Sequence, residues 1–360
     1  MGALVGACST PPSLMETPAL LRGQGTANFD KVPSAHQNDR VEIFYATDRA
    51  STTSEDGLEY TGQRGRNLVL GIAKVEIGQG LLSWPSLVRE SLAEARTAAL
   101  PMKVVSREEV GTLKESIFFL DPAFAREENE AEEAAFASRM NARLETSRSQ
   151  DVYVFVSPFK HSFDDSAVVA AEFFHFMGRD GAFMVYSWPS ERSNLSYFQA
   201  TENAYFTVRS LRELIRFLAD RTDAREIHLM TYSAGARVLS YALHGLRLQS
   251  DALDEVTVRE KFRIGQVICT GPDLDSDVFR NQYQDGTADL ADQITIYTTG
   301  KDRALRTARF VFGGERLGST QAKSLRAATI DHLRKEEQTN FVIVSNTERI
   351  DKDNSHGYYR

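Results

Sequence analysis

Ser233 stands in a setting that can turn a weak hydroxyl into a nucleophile. It lies in Ile227-His228-Leu229-Met230-Thr231-Tyr232-Ser233-Ala234-Gly235, and a helix-like run follows from Ala236 to Leu246 with Val238, Leu239, Ala242 and Leu243 on one face. A serine hydroxyl attacks poorly at neutral pH unless a base accepts its proton and backbone N–H groups face the charge that develops. A sharp strand-to-helix turn meets both needs, because it projects the side chain and sets it at a helix N-terminus. Strand and helix pass close together at such a turn, so small residues are expected two before and two after the serine. Gly235 meets that requirement. Thr231 departs from it, since a β-branched side chain fits a strand end but crowds the following helix. The competing reading is an ordinary strand-turn-helix connection with Ser233 as an N-cap.

A serine nucleophile of this kind is followed along the chain by an acid and then a histidine. Three histidines follow Ser233: His244, His332 and His356. His244 is eleven residues along the helix after the turn, roughly 16 Å up its axis, too far to act as the base. His332 falls in a charged amphipathic segment, Ser324 to Glu337, which reads as a solvated helix face. His356 lies beyond the final apolar strand in Asp353-Asn354-Ser355-His356-Gly357, at the end of the sheet where catalytic loops gather, and is the expected base.

The elements that must position these residues alternate. Val41 to Thr47 and Asn67 to Ile77 read as strands, and Glu127 to Arg148 as a surface helix. Val152-Tyr153-Val154-Phe155-Val156 is a continuous apolar run, as expected for a parallel strand covered on both faces. A loop through Ser157-Pro158-Phe159 follows, then a helix with Val168, Val169, Phe173 and Phe174, then a strand from Phe183 to Trp188. An amphipathic helix from Tyr205 to Ala219 leads into the Ser233 strand, and further strands are expected at Ile264–Cys269, Ile294–Thr298 and Phe341–Ser345. This succession predicts an α/β fold with a mostly parallel central sheet and helices on both faces.

The order "VYVFVSPFKHSFDDS", "YSWPS", "YSAGARVL", "GPDLDSDVFR", "GKDRALRTAR…GERLG" and "SHGYY" resembles a family of largely uncharacterised bacterial α/β-hydrolases over roughly residues 41 to 360. The opening Val41-Glu42-Ile43-Phe44-Tyr45-Ala46-Thr47-Asp48-Arg49 is similar to that family's first strand and the loop after it. The resemblance implies a Ser-Asp-His enzyme that hydrolyses esters or other acyl compounds. It favours Asp302, in the loop after the Ile294–Thr298 strand, as the acid, with Asp273 after the preceding strand as the alternative; Asp302 also reads as a helix cap ahead of Ala304-Leu305-Arg306. The oxyanion would be held by the backbone N–H groups of Ala234 and Phe159. Where the family has His-Gly before the aromatic residue this chain has Ser157-Pro158, and where it has a small residue and histidine before the serine this chain has Thr231-Tyr232. Proline offers no N–H and restricts its neighbour, so a stiffened or reshaped loop is expected. The altered loop motivates a second reading, a hydrolase-like binding protein of weak or no activity, and acyl transfer to an acceptor other than water is a third.

Trp188, Phe163 and Tyr197, with Phe159, Phe198 and Tyr358, come from loops near the presumed active end and are expected to line an apolar acyl site. No cofactor or metal is expected: the histidines lack paired ligand spacing, and no glycine-rich phosphate loop follows a strand. The net charge of −8, without a basic block, argues against nucleic acid as a partner; a small ester or acyl substrate is what the resemblance implies.

Residues 1–39 read as a flexible N-terminal segment, since the Pro, Ser, Thr, Gly and Asn run from Ser9 to about Asp39 has neither helical nor strand period, and residues 40–360 read as the hydrolase domain. Two cysteines exclude a disulfide scaffold. Cys269 falls in an apolar strand. Cys8, after Leu4-Val5-Gly6-Ala7, resembles the end of a lipoprotein signal, although only seven residues precede it. Anchoring at the cell envelope through Cys8 and a cytoplasmic protein with a frayed tail are both open on this reading.

Overall fold

The computed structural model describes residues 12–344, apart from 24, 27, 56, 97, 117–125, 192–196 and 320–337. In chain order the strands are β1 (Arg40–Ser54), β2 (Gly57–Ile77), β3 (Met102–Thr112), β4 (Val152–Val156), β5 (Ala182–Ser187), β6 (Ile227–Tyr232), β7 (Ile264–Thr270), β8 (Ala291–Thr298) and β9 (Thr339–Ile343). The helices are α1 (Trp84–Leu92), α2 (Arg126–Glu145), α3 (Phe163–Phe176), α4 (Tyr197–Arg221), α5 (Gly235–Leu248), α6 (Glu255–Phe262), α7 (Ser276–Gln284) and α8 (Arg303–Phe312).

The strands form one sheet in the order β3-β2-β1-β5-β4-β6-β7-β8-β9. The β1–β2 and β2–β3 pairs are antiparallel, and every pair from β1–β5 to β8–β9 is parallel. The mostly parallel α/β sheet expected from the sequence is the one observed.

Alternation along β4 shows how the core is divided. Val152, Val154 and Val156 pack with α2, α4 and α5 on one face, while Phe155 packs with α3 and α1 on the other. Both faces are covered, which is why the strand reads as an unbroken apolar run. The register levels the strand ends that matter: Val156 is opposite both Tyr186 and Thr231, and Thr47 is opposite Ser187. The loops after β4, β5 and β6 therefore leave the sheet side by side.

The N-terminal expectation is corrected. Residues 12–39 are not a free linker where they are described: Leu14, Leu21, Phe29 and Val32 are buried, and the Leu14 and Met102 N–H groups donate to Leu100 and Pro12 carbonyls. Scattered anchors on an irregular segment leave no hydrophobic period, so pattern reading missed them. The third strand β3 was also unforeseen. Its sequence Met-Lys-Val-Val-Ser-Arg-Glu-Glu-Val-Gly-Thr is largely polar, because all of its residues but Met102 stay at least partly accessible on the sheet's outermost antiparallel strand.

Candidate active site

Ser233 has φ +53°, a left-handed conformation that costs an L-residue about 1–2 kcal/mol and persists only where the surroundings enforce it. Here they do. The Ser233 N–H donates to the Thr270 carbonyl (3.1 Å), and the Ser233 carbonyl accepts from the N–H groups of Asp273 (3.0 Å) and Ala236 (3.1 Å). The end of β7 thus clamps the turn after β6, and α5 starts immediately at Gly235. A Cβ on Gly235 would lie 2.6 Å from the Ser157 carbonyl oxygen and 2.8 Å from that of Val156, so glycine is what lets helix and strand approach. Thr231 does not obstruct this packing: its side chain is buried and its hydroxyl donates to the Val156 carbonyl (3.3 Å). The crowding expected of Thr231 is absorbed by that bond and by the missing side chain at position 235.

The loop after β4 is gripped at successive residues. Ser157 N–H donates to the Tyr186 carbonyl (3.1 Å), and Trp188 Nε1–H donates to the Ser157 carbonyl (2.6 Å). Lys160, itself at φ +68°, donates its N–H to Ser190 Oγ (2.8 Å), and the His161 carbonyl accepts from Arg49 Nη2 (2.7 Å). Ser162 then caps α3, exchanging bonds with Asp165 in a reciprocal capping box. Phe159 stands between these grips, half-buried against the core. Pro158 is buried in a tightly tied turn.

Two of the residues expected to line the acyl site are placed elsewhere. Trp188 is 0 % exposed and serves the loop through its Nε1 bond, instead of presenting its ring to an open site. Phe163, at the start of α3, is buried among Tyr45 and Tyr60 with ring centroids 4.9 Å and 4.6 Å away. Both are expected at an acyl site because they fall near loop ends, but the loops they adjoin are covered by the β1–β2 hairpin. Tyr197 is the first residue of α4, and its side chain lies outside the described residues; Phe198 beside it is exposed.

Asp302 follows β8, is fully buried, and accepts the Leu305 N–H (3.0 Å) as the N-cap of α8. Asp273 is tied to two guanidinium groups, Arg237 Nη2 at 3.0 Å and Arg316 Nε at 3.5 Å. Arg237 also donates through Nε to the Asp273 carbonyl (2.8 Å). Asp273 therefore anchors α5 and the segment after α8. His244 pairs with Asp285 (2.8 Å) on the far part of α5. His356, His332, Tyr358 and Cys8 lie outside the described residues.

Sequence reading missed two adjacent buried ionisable side chains in the middle of β1, Asp48 and Arg49. The β1–β2 register shifts between Thr47 and Arg49 and again between Arg49 and Ser51, and such bulges re-aim side chains. Asp48 and Arg49 are each 2 % exposed. Asp48 Oδ2 accepts from the hydroxyls of Thr207 and Tyr186, and burial raises its pKa above the usual carboxylate range. Burial pushes the Arg49 guanidinium down to about 10, still a cation at neutral pH. The available signal was a charged pair interrupting an apolar strand without a turn residue beside it.

A mostly parallel sheet with a left-handed serine at a strand-to-helix turn defines the α/β-hydrolase class. Within that class the chain belongs to the family described as alpha/beta hydrolase of unknown function (DUF900), whose model matches residues 132–359, more than half of the chain. No curated protein matches in sequence. Solved structures similar to this chain include the apo form of esterase 2 from Thermogutta terrifontis, at 12% identity over 59% of this chain and 80% of that one, with a TM-score of 0.32. A dienelactone hydrolase-like promiscuous phosphotriesterase from metagenomic libraries is similar at 11% identity over 56% and 73%, with a TM-score of 0.34. An inhibited esterase B from Lactobacillus rhamnosis is similar at 11% over 55% and 67%, with a TM-score of 0.31. The family match begins inside α2, so the β1–β3 meander and Arg49 lie outside it.

Proposed function

We propose that this chain is a serine hydrolase of carboxylic esters or related acyl compounds, with Ser233 as nucleophile, His356 as base and Asp302 as the acid that orients it. The observation that carries the reading is the left-handed Ser233 held by Thr270 and Asp273 over the close approach at Gly235. A strained serine at a helix N-terminus has no packing advantage to offset its backbone cost, whereas a nucleophile gains from it. In the mechanism His356 takes the Ser233 proton as the oxygen attacks the acyl carbon. The tetrahedral oxyanion is received by the N–H groups of Ala234 and Phe159. Protonated His356 then donates to the leaving group, and water, deprotonated in turn by His356, releases the acid from the acyl-enzyme. Asp302 is preferred to Asp273 as the acid because Asp273 already holds Arg237 and Arg316.

The test is labelling by a fluorophosphonate and hydrolysis of p-nitrophenyl acetate, each with wild-type protein and Ser233→Ala. Labelling and turnover that vanish in Ser233→Ala support the reading. Pro158, which offers no N–H to the loop, favours a hydrolase-like binding protein as the second reading. Folded wild-type protein that neither labels nor turns over would decide for that alternative.

A further inference from the structure

Arg49 is a buried cation whose hydrogen-bond partners are all uncharged. Its Nε donates to Ser187 Oγ (2.9 Å), Nη1 to the carbonyls of Thr61 (3.1 Å) and Ser190 (3.1 Å), and Nη2 to the His161 carbonyl (2.7 Å). No carboxylate lies within ion-pair distance of it among the described residues. Asp48 and Asp165 act on it only through their field. Burying a guanidinium on neutral acceptors is costly, and an apolar side chain of like volume would serve packing as well. What the planar fork achieves is geometric: it ties the loops after β4 and β5 and the β1–β2 hairpin at one point.

Two of these bonds converge on one loop. His161 is two residues beyond Phe159, and Ser190, whose carbonyl Arg49 holds, uses its Oγ to accept the Lys160 N–H (2.8 Å). On the other side Trp188 holds the Ser157 carbonyl. The hairpin closes over this arrangement: a Cβ on Gly62 would stand 3.0 Å from the Ser190 carbonyl oxygen. Phe159 is thereby bracketed by fixed residues on both sides, in a loop where proline has replaced the N–H of its predecessor.

We propose that Arg49 is the positioning residue of the oxyanion loop, fixing the Phe159 N–H through His161 and Ser190; this rests on the hydrolase reading above. It assigns a catalytic support to the N-terminal meander, which precedes residues 132–359, the span that the family model matches.

The experiment measures hydrolysis of an aryl ester (p-nitrophenyl acetate) and an alkyl ester (ethyl acetate), with hydrogen exchange of peptides covering 157–162, for wild type, Arg49→Lys, Arg49→Ala with and without added guanidinium, and Ser190→Ala. An alkyl leaving group demands more from the oxyanion donors, and loss of one donor typically costs about a hundredfold to a thousandfold in rate. The expected result is a fall in kcat with KM little changed, a larger loss for the alkyl than for the aryl ester, faster exchange in 157–162, and partial rescue of Arg49→Ala by guanidinium. Ser190→Ala, which leaves the guanidinium in place, should show the same leaving-group signature at smaller size, and it carries the test if the Arg49 variants do not fold. Active wild type with variants whose exchange and aryl-to-alkyl ratio are both unchanged overturns the clamp alone, as does faster exchange with an unchanged ratio. Wild-type protein inert toward both esters and toward the fluorophosphonate overturns the hydrolase reading and the clamp with it.

Discussion

Gly235→Ala should disable the site more than it unfolds the protein. The added Cβ would meet the Ser157 oxygen at 2.6 Å, the Val156 oxygen at 2.8 Å and Thr231 Oγ1 at 2.5 Å, where ordinary contact begins near 3.4 Å. Thr231 can turn about χ1, although doing so gives up its bond to Val156. The two carbonyls cannot turn, because Ser157 is fixed by Trp188 Nε1 and Val156 belongs to the parallel ladder of β4. Relief requires a backbone shift of about 0.8 Å, the shortfall against normal carbon–oxygen contact. Either the start of α5 moves, taking Ser233 with it, or the loop carrying Phe159 moves. Overpacking of this kind costs about 1–3 kcal/mol. A misplacement near 1 Å costs about a hundredfold in rate. Urea unfolding followed by tryptophan fluorescence gives the first quantity, and kcat per fluorophosphonate-titrated serine gives the second. A variant within about 0.5 kcal/mol of wild type and with unaltered kcat would refute the close-approach reasoning, since surface-like tolerance is what that figure describes.

The two candidate acids should separate cleanly. Asp302→Asn keeps the cap on Leu305, because asparagine caps as well as aspartate, yet should lower kcat by about ten thousandfold through the wrong histidine tautomer. Asp273→Asn should instead cost about 3–5 kcal/mol in urea unfolding, by leaving Arg237 and Arg316 short of their counter-charge; reversed effects would move the acid to Asp273. Asp48→Asn should stabilise the protein at neutral pH. The folded state holds the Asp48 carboxyl protonated to higher pH than the unfolded chain does, so wild-type stability from this group is intact below the usual carboxylate range and is lost as pH rises from that range through the raised folded-state value. The advantage of the variant should therefore shrink toward zero on acidification, and an advantage independent of pH would reject the linkage. We also propose envelope anchoring through Cys8: in the native host the protein should take up a fatty-acid analogue and partition into detergent, and Cys8→Ser should abolish both, whereas unmodified Cys8 in soluble protein would end the idea.

The parallel half of the molecule was legible because its physics is local and repetitive. β4 announced itself as a buried run, and the β6–α5 turn by a serine two residues before a glycine. The partners of these elements were not legible to the same degree. Trp188 and Phe163 looked like pocket residues because proximity to a loop is visible in sequence, while a hairpin folding over that loop from more than a hundred residues away is not. Asp273 and Asp302 could not be separated by spacing. What distinguishes them is that Arg237 and Arg316 converge on the first, one from α5 and the other from the segment after α8.

The altered loop then takes a different meaning from the one its sequence suggests. A proline beside an oxyanion donor removes one N–H and narrows the conformations open to its neighbours. In isolation that reads as damage. Once Ser157, Lys160 and His161 are each held by Trp188, Ser190 and Arg49, the same restriction works with the grips: fewer loop conformations remain to be excluded, so less ordering is left for the substrate to bring about. Catalytic electrostatics depends on donors fixed before charge develops, more than on the number of donors in the vicinity. If the proposed site is catalytic, the demand for fixity accounts for a buried cation at the β1 bulge, whose side-chain hydrogen bonds go to carbonyls and a hydroxyl. On the proposed reading the meander β1–β3 supports the site through Arg49, although none of its residues is expected to touch the substrate.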